Sequence, residues 1–176
     1  MKKYLKYSGF VAALFALITF ILLLATPAVM YNGKNVVAEG TTAIFGKKEA
    51  IKASFGGFTV NFGDAVTHLS WSALLAWIFV VVALVILVAG VVLPLLKVKK
   101  IEKFAGLLNL VAVGLLVVAG IFVFISCATF FAANGYDSVP DKCALGAGWI
   151  IAGILAILGG ACAILPAAVD FLGKKK

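Results

Sequence analysis

The sequence predicts an all-α membrane protein: a left-handed bundle of four transmembrane helices with a small extracellular antiparallel β-sheet. Its 176 residues are 64% hydrophobic and 12% charged, whereas soluble proteins average roughly 45–50% apolar and 25% charged residues. Apolar runs long enough to cross a bilayer occur four times, and small residues recur every seven positions in the last three. We expect one domain over residues 1–176.

The lysines predict the orientation in the membrane. All fifteen basic residues are lysine, and the net charge is +8. If all four runs cross the membrane, ten lysines and two acidic residues lie on the same side as the two termini. The other five lysines and five acidic residues lie on the opposite side. Because lysine-rich segments stay in the cytoplasm, we predict a multi-pass protein of the cell membrane with both termini cytoplasmic. This distribution accounts for the whole excess charge, so no nucleic-acid partner is expected.

The first helix is predicted over residues 7–26. It follows a basic start and ends at Thr26-Pro27. A basic start, an apolar core and small residues after it also describe a cleaved signal peptide. The apolar stretch of 17 residues from Gly9 to Ala25 is long for a signal core and adequate for a span, which favours an uncleaved helix. Both alternatives place the next segment outside.

Residues 29–69 are predicted to be an extracellular β-rich segment. Thr41–Phe45, Ala50–Phe55 and Phe58–Phe62 are rich in β-branched and aromatic residues, and two adjacent glycines between such runs indicate a hairpin turn. A sheet this small is marginally stable alone, so it should pack on the bundle or on a neighbouring subunit. The predicted hairpin turn comprises Phe55, Gly56, Gly57 and Phe58.

The remaining helices are predicted over residues 70–98, 103–130 and 145–172. Asp64 is a candidate N-cap for the first of these. The basic turn Lys97–Lys103 separates it from the next helix, and residues 132–142 form a short outer loop. Trp71 and Trp149 are expected at the outer membrane interface, which indole rings favour.

Small residues predict how these three helices pack. A step of seven keeps them on one seam if the helices supercoil left-handedly, and close approach over small residues holds helices together in lipid. An Ala/Gly-rich composition could give such series by chance, but three helices sharing one step favour a real seam. The series are Ala76, Ala83 and Gly90; Ala105, Ala112, Ala119 and Ser126; and Gly146, Gly153, Gly160 and Ala167.

The last helix carries a second ladder of small residues. Its members are Gly148, Ala152, Ala156 and Gly160. They lie on a partly different face and exceed what one intramolecular seam needs. We therefore expect a second partner there, which could be another copy of the chain.

The sequence offers no catalytic, metal or cofactor site. No ionisable residue lies near the predicted midplane, and ion-coupled transport would require one. A single histidine, His68, without nearby cysteine argues against a metal site. Asn109 is expected to make a polar contact between helices, with lining of a polar path as the alternative. We therefore expect no enzyme activity and no cofactor.

Cys127 and Cys143 fall at the outer ends of the last two helices, joined by the short loop. Outside the cytoplasm they could form a disulfide worth about 3 kcal/mol in the chain-entropy model. A free, buried Cys127 is the alternative. Cys162 lies toward the opposite side and is expected to be a packing residue.

The layout resembles that of the claudins and related tetraspan families, with a long, β-rich first outer loop and a short second one. The chain lacks the claudin signature, because no cysteine or tryptophan precedes Trp71. The use of lysine alone resembles small uncharacterised four-helix membrane proteins of low-GC Gram-positive bacteria.

These features indicate a non-catalytic protein that acts by association, as a homo-oligomer or as an accessory subunit, through its outer β segment. Its expected partners are membrane lipids and either itself or another membrane protein. One alternative is a channel subunit for small solutes, with the pore between subunits. Another is binding of a lipid or hydrophobic molecule between helices.

Overall fold

The computed structural model describes the backbone of residues 2–55, 58–95 and 99–172, and the side chains of residues 8–49, 64–92 and 107–164. In chain order its elements are α1 (Lys2–Ala25), β1 (Pro27–Tyr31), β2 (Asn35–Glu39), α2 (Gly40–Phe45), β3 (Lys47–Phe55), β4 (Phe58–Thr67), α3 (Trp71–Leu95), α4 (Lys99–Ala133), β5 (Cys143–Leu145) and α5 (Ala147–Leu172).

Four helices are long and apolar enough to cross a membrane. The apolar stretches within α1, α3, α4 and α5 are Ser8–Ala25, Trp71–Val92, Leu107–Ala133 and Ala147–Ile164. A helix needs about 20 apolar residues to span a bilayer. The protein is therefore mostly helical, with four candidate spans, as a multi-pass membrane protein requires.

The four long helices form a ring in chain order. Helix α1 packs against α3 and α5, and α4 packs against the same two helices. The contact between α1 and α3 is the least extensive of the four. Both sheets lie at the bundle end where α1 and α4 finish and where α3 and α5 begin.

Small residues line the contacts between helices. Ala76, Ala83, Ala112 and Ala119 have no exposed surface. Ala105 and Ala167 lie outside the residues with described side chains. Glycines bring α4 and α5 together most closely. A methyl group added at Gly153 would lie 2.9 Å from the Phe124 ring, and one added at Gly160 would lie 3.0 Å from the Val117 side chain.

The second small-residue ladder of α5 also packs inside the bundle. Gly148 lies against Thr26, so a side chain at this position would overlap the threonine. The Thr19 hydroxyl donates to the Ala152 carbonyl at 3.4 Å, and Ala156 has no exposed surface. The ladder therefore serves contacts within one chain, which removes the reason for assigning it to a second copy.

The β-segment forms two antiparallel sheets instead of one. The first has the strand order β2-β1-β5, and the second is the β3–β4 hairpin. Strand β5 comes from the connection between α4 and α5, where the sequence predicted a loop over residues 132–142 and the last helix from residue 145, but no strand. It pairs with β1 from Val29↔Leu145 to Tyr31↔Cys143, so the connection between α1 and α3 and the connection between α4 and α5 together build the three-stranded sheet.

The prediction of a strand at residues 41–45 is wrong, because these residues form the short helix α2. Thr42, Ala43 and Ile44 are buried, and α2 packs against α1 and α3. Gly46, at φ 73°, ends the helix by donating its N–H to the Thr42 carbonyl at 2.8 Å. Burial against two helices here outweighs the β preference of threonine and isoleucine.

One prediction about a helix end is also wrong. Asp64 does not cap α3 but pairs with Ala50 within the β3–β4 hairpin. The capping role falls to Ser70, whose hydroxyl accepts from the Ala73 N–H at 3.4 Å. The two tryptophans near the ends of spans differ in burial: Trp149 has no exposed surface, whereas Trp71 is 50% exposed.

Candidate association surface

The β3–β4 hairpin receives little support from the rest of the chain. Its register runs from Lys47↔Thr67 to Phe55↔Phe58, and at about 3.3 Å per residue its strands are roughly 30 Å long. Among the described residues, the two strands make substantial contact with each other and with no other helix or strand. Gly56 and Gly57 of the predicted turn lie outside the described residues.

Polar contacts at the base of the hairpin are exposed. Lys47 lies 2.6 Å from Glu49, and Lys48 lies 2.8 Å from Asp64. The hydrogen bond to Glu49, together with its charge, raises the pKa of Lys47. Exposed ion pairs of this kind add little stability, and a lone two-stranded hairpin is marginal in water. In the described backbone the hairpin thus lacks the support that a third strand would supply.

A cleft opens beside the hairpin base. Phe45, Val66 and Leu69 are exposed here although they are large and apolar. The cleft has a volume of about 530 Å³ and also contains two lysines and the single histidine. It is lined by Phe45, Gly46, Lys47, Lys48, Val66, Thr67, His68, Leu69 and Ala133.

Strand β2 adds an unpaired edge to the same end of the molecule. It is the outermost strand of the order β2-β1-β5. Val36 is 51% exposed and Val37 is 44% exposed, so two consecutive apolar residues contact solvent. Exposed apolar edge strands readily pair with another chain. The hairpin, the cleft and this edge are together called the association surface below.

Buried hydroxyl groups next to the association surface join the start of α3 to α4. The Ser70 and Ser72 hydroxyls lie 2.5 Å and 2.6 Å from the Thr129 hydroxyl of α4, and both serines have no exposed surface. The sequence analysis missed this cluster. The sequence Ser-Trp-Ser at the start of a span could have indicated it, because serine is a preferred N-cap.

The other predicted site residues lie apart from this surface. The Asn109 amide oxygen lies beside Gly90, 3.2 Å from where a methyl group there would be, so it occupies the contact between α4 and α3. Cys127 and Cys143 both carry free thiols. Within the part of the chain that was searched, no three His, Cys, Asp or Glu residues are grouped to hold a metal ion. No protein-family model matches the sequence, and no curated protein matches it either.

Proposed function

We propose that this chain is a tetraspan protein of the bacterial cell membrane that works by association, without catalysis, through its association surface. The observation that carries the proposal is the β3–β4 hairpin, whose described backbone makes extensive contact only between its own two strands. A long two-stranded hairpin that the chain itself does not support is best explained by a partner that completes it.

The charge distribution supports an extracellular position for this surface. Both sheets lie at one end of the bundle, and in the sequence ten of the fifteen lysines belong to the two termini and to the turn Lys97–Lys103. Lysine-rich ends stay cytoplasmic, so the termini would be inside and the hairpin outside. The seven-residue spacing of small residues supports a left-handed bundle.

The chemistry of the surface favours a protein partner. The hairpin can accept a third strand at either edge, and β2 offers a further edge with two exposed valines. Strand addition satisfies backbone hydrogen bonds and buries alternate side chains. The partner would be a second copy of this chain or another membrane protein, while lipids cover the apolar helix faces.

Shortening the hairpin tests the proposal. Replacing residues 50–64 by Asn-Gly keeps the Glu49↔Ala65 pair and closes it with a two-residue turn. We expect the full chain in nanodiscs to have a mass above that of a monomer, or to crosslink to a partner in its membrane. The shortened variant should lose either signal while its thermal unfolding stays unchanged.

A substitution on the lipid-facing side of α3 provides the matched control. Val85 is 63% exposed and lies far from both sheets, so Val85→Leu should keep the wild-type mass and crosslinks. A monomeric full chain that crosslinks to nothing would overturn the proposal. So would a shortened variant that still associates like the full chain.

The channel alternative gains no support from the position of Asn109. Its amide oxygen faces Gly90 between two helices of one chain, a position that favours the contact between helices over the lining of a pore between subunits. Solute flux across the membrane of liposomes that contain a confirmed oligomer would support the channel alternative.

A further inference from the structure

The register of the β3–β4 hairpin assigns its residues to two faces. Residues two apart on a strand share a face, and so do residues directly paired across the two strands. The ion pairs at the base agree with this assignment. Lys47 and Glu49, two apart on β3, are joined at 2.6 Å. Lys48 and Asp64, which the pair Ala50↔Asp64 places together on the other face, are joined at 2.8 Å.

The outer part of the hairpin is amphipathic. We call residues 52–55 and 58–61 the tip. Alternation along the strands places only apolar residues on one face of the tip and only polar residues on the other. The apolar face consists of the pairs Phe55↔Phe58 and Ala53↔Val60, and the polar face consists of the pairs Ser54↔Thr59 and Lys52↔Asn61.

The charge pattern separates the tip from the base. Each face of the base carries an ion pair whose side chains are at least 43% exposed, so the base is in water. Between Lys52 and Asp64 the sequence has no charged residue and contains three phenylalanines. The register passes from Ala50↔Asp64 to Lys52↔Asn61, which leaves two residues of β4 opposite one of β3. Because such a bulge bends its strand, the tip can face surroundings different from those of the base.

The membrane boundary lies close to the base of the hairpin. Strand β4 ends at Thr67, and the apolar span of α3 begins at Trp71. This connection covers at most about 14 Å. The hairpin is roughly 30 Å long, and its described backbone makes extensive contact only between its own strands. The tip can therefore reach the bilayer beside the bundle.

The apolar face of the tip is too small to hold two copies of the chain together. Two strands of four residues give a face of roughly 10 by 13 Å. Two such faces packed together would bury a few hundred square ångströms, whereas a stable protein interface buries about 1,200 Å² or more. Contact with the bilayer needs no such area. Because α3 already holds the hairpin at the membrane, this contact costs no further loss of overall translational freedom.

We propose that the apolar face of the tip lies in the lipid of the membrane that holds the four spans. Its residues enter the boundary between headgroups and acyl chains, as the apolar face of an interfacial amphipathic helix does. The polar face, which includes Lys52, stays in contact with headgroups and water. The inference goes beyond the proposed function, which uses the edges of the hairpin and leaves its faces free.

Fluorescence from the two faces of the tip in the full chain tests the proposal. A small fluorescent amino acid whose emission depends on polarity replaces Val60 on the apolar face or Thr59 on the polar face. The chain is placed in liposomes of phosphatidylethanolamine and phosphatidylglycerol. At position 60 we expect emission at shorter wavelength, quenching by lipids with a nitroxide near the start of the acyl chain, and loss of quenching by aqueous iodide. At position 59 iodide should quench the emission.

Two outcomes of this measurement would overturn the proposal. The first is quenching by iodide alone at both positions, which would place both faces of the tip in water. The second is a probe at position 60 that neither iodide nor the nitroxide lipid quenches. That result would show that protein, such as a second copy of the chain, covers the apolar face.

Charge substitutions on the two faces provide a matched comparison, with the probe at position 60. Phe58→Asp puts a charge on the apolar face and should restore quenching by iodide. Ser54→Asp puts the same charge on the polar face and should not, and Phe58→Leu, which keeps the face apolar, should behave as the unsubstituted chain does. Lipid quenching that persists unchanged in Phe58→Asp would contradict the proposal. These readouts do not depend on oligomeric mass, so this proposal and the proposed function can fail separately.

Discussion

The side-chain amide of Asn134 pairs with the backbone of His68 as a neighbouring strand would. Its oxygen accepts from the His68 N–H at 2.8 Å, and its nitrogen donates to the His68 carbonyl at 3.1 Å. The same nitrogen donates to the Phe130 carbonyl at 2.8 Å. Asn134 therefore forms hydrogen bonds both to the last turn of α4 and to the segment that connects the hairpin to α3.

Asn134→Ala is expected to destabilise the protein by about 0.5–1.5 kcal/mol, because it removes hydrogen bonds to exposed backbone groups that can bond to water instead. Asn134→Asp should fall between Asn134→Ala and the wild type, since a carboxylate can still accept from the His68 N–H but cannot donate. Thermal unfolding in mild detergent, followed by tryptophan fluorescence, measures the effect. Equal stability of Asn134→Ala and wild type would show that these hydrogen bonds contribute nothing to the stability of the fold.

Thr129→Val tests the buried hydroxyl cluster. Valine keeps the shape of threonine but removes the hydroxyl that both Ser70 and Ser72 contact. We expect a loss of about 1–3 kcal/mol, because two buried hydroxyls would be left with fewer partners. Ala128→Val, at the exposed neighbouring position on α4, is the control. A Thr129→Val protein as stable as this control would contradict the prediction.

The sequence was sufficient to predict the four spans, because each is an apolar run bounded by polar or charged residues. It also predicted two β-runs, at 50–55 and 58–62, which lie within β3 and β4. Local patterns were sufficient here because neither the spans nor the hairpin depend on distant residues for their secondary structure.

Long-range contacts account for the errors. Residues 41–45 become a helix because they are buried against α1 and α3, and β5 exists only because β1 offers it an edge. Long-range contacts also decide burial: Trp149 has no exposed surface, and Gly146, three residues earlier, lies directly against the Pro27 carbonyl, which brings the start of α5 close to the sheet. Composition could place a tryptophan near the end of a span, but not on the inner or outer face of the helix.

Two glycines of α4 give a matched test of close helix packing. A methyl group at Gly120 would lie 2.6 Å from the Ile157 side chain and 2.9 Å from the Gly153 carbonyl oxygen, whereas one at Gly114 would meet nothing within 4 Å. Gly120→Ala should therefore cost about 1–3 kcal/mol through overpacking. Gly114→Ala should be neutral or gain up to about 1 kcal/mol from helix propensity. Similar unfolding temperatures for the two variants would argue against close contact between α4 and α5.

Val37→Lys tests whether the β2 edge takes part in association. Lysine on an exposed edge strand disfavours pairing with another chain, because pairing would bury its charge. Val37 has no pairing partner in β1, since the register passes from Val36↔Met30 to Ala38↔Val29, so the fold should tolerate the change. We expect a lower oligomeric mass or weaker crosslinking at unchanged unfolding temperature. Lys34→Val, which removes a charge from the turn before β2, is the control and should not weaken association. If Val37→Lys associates as the wild type does, the contact is confined to the β3–β4 hairpin and the cleft, and the β2 edge has no part in it.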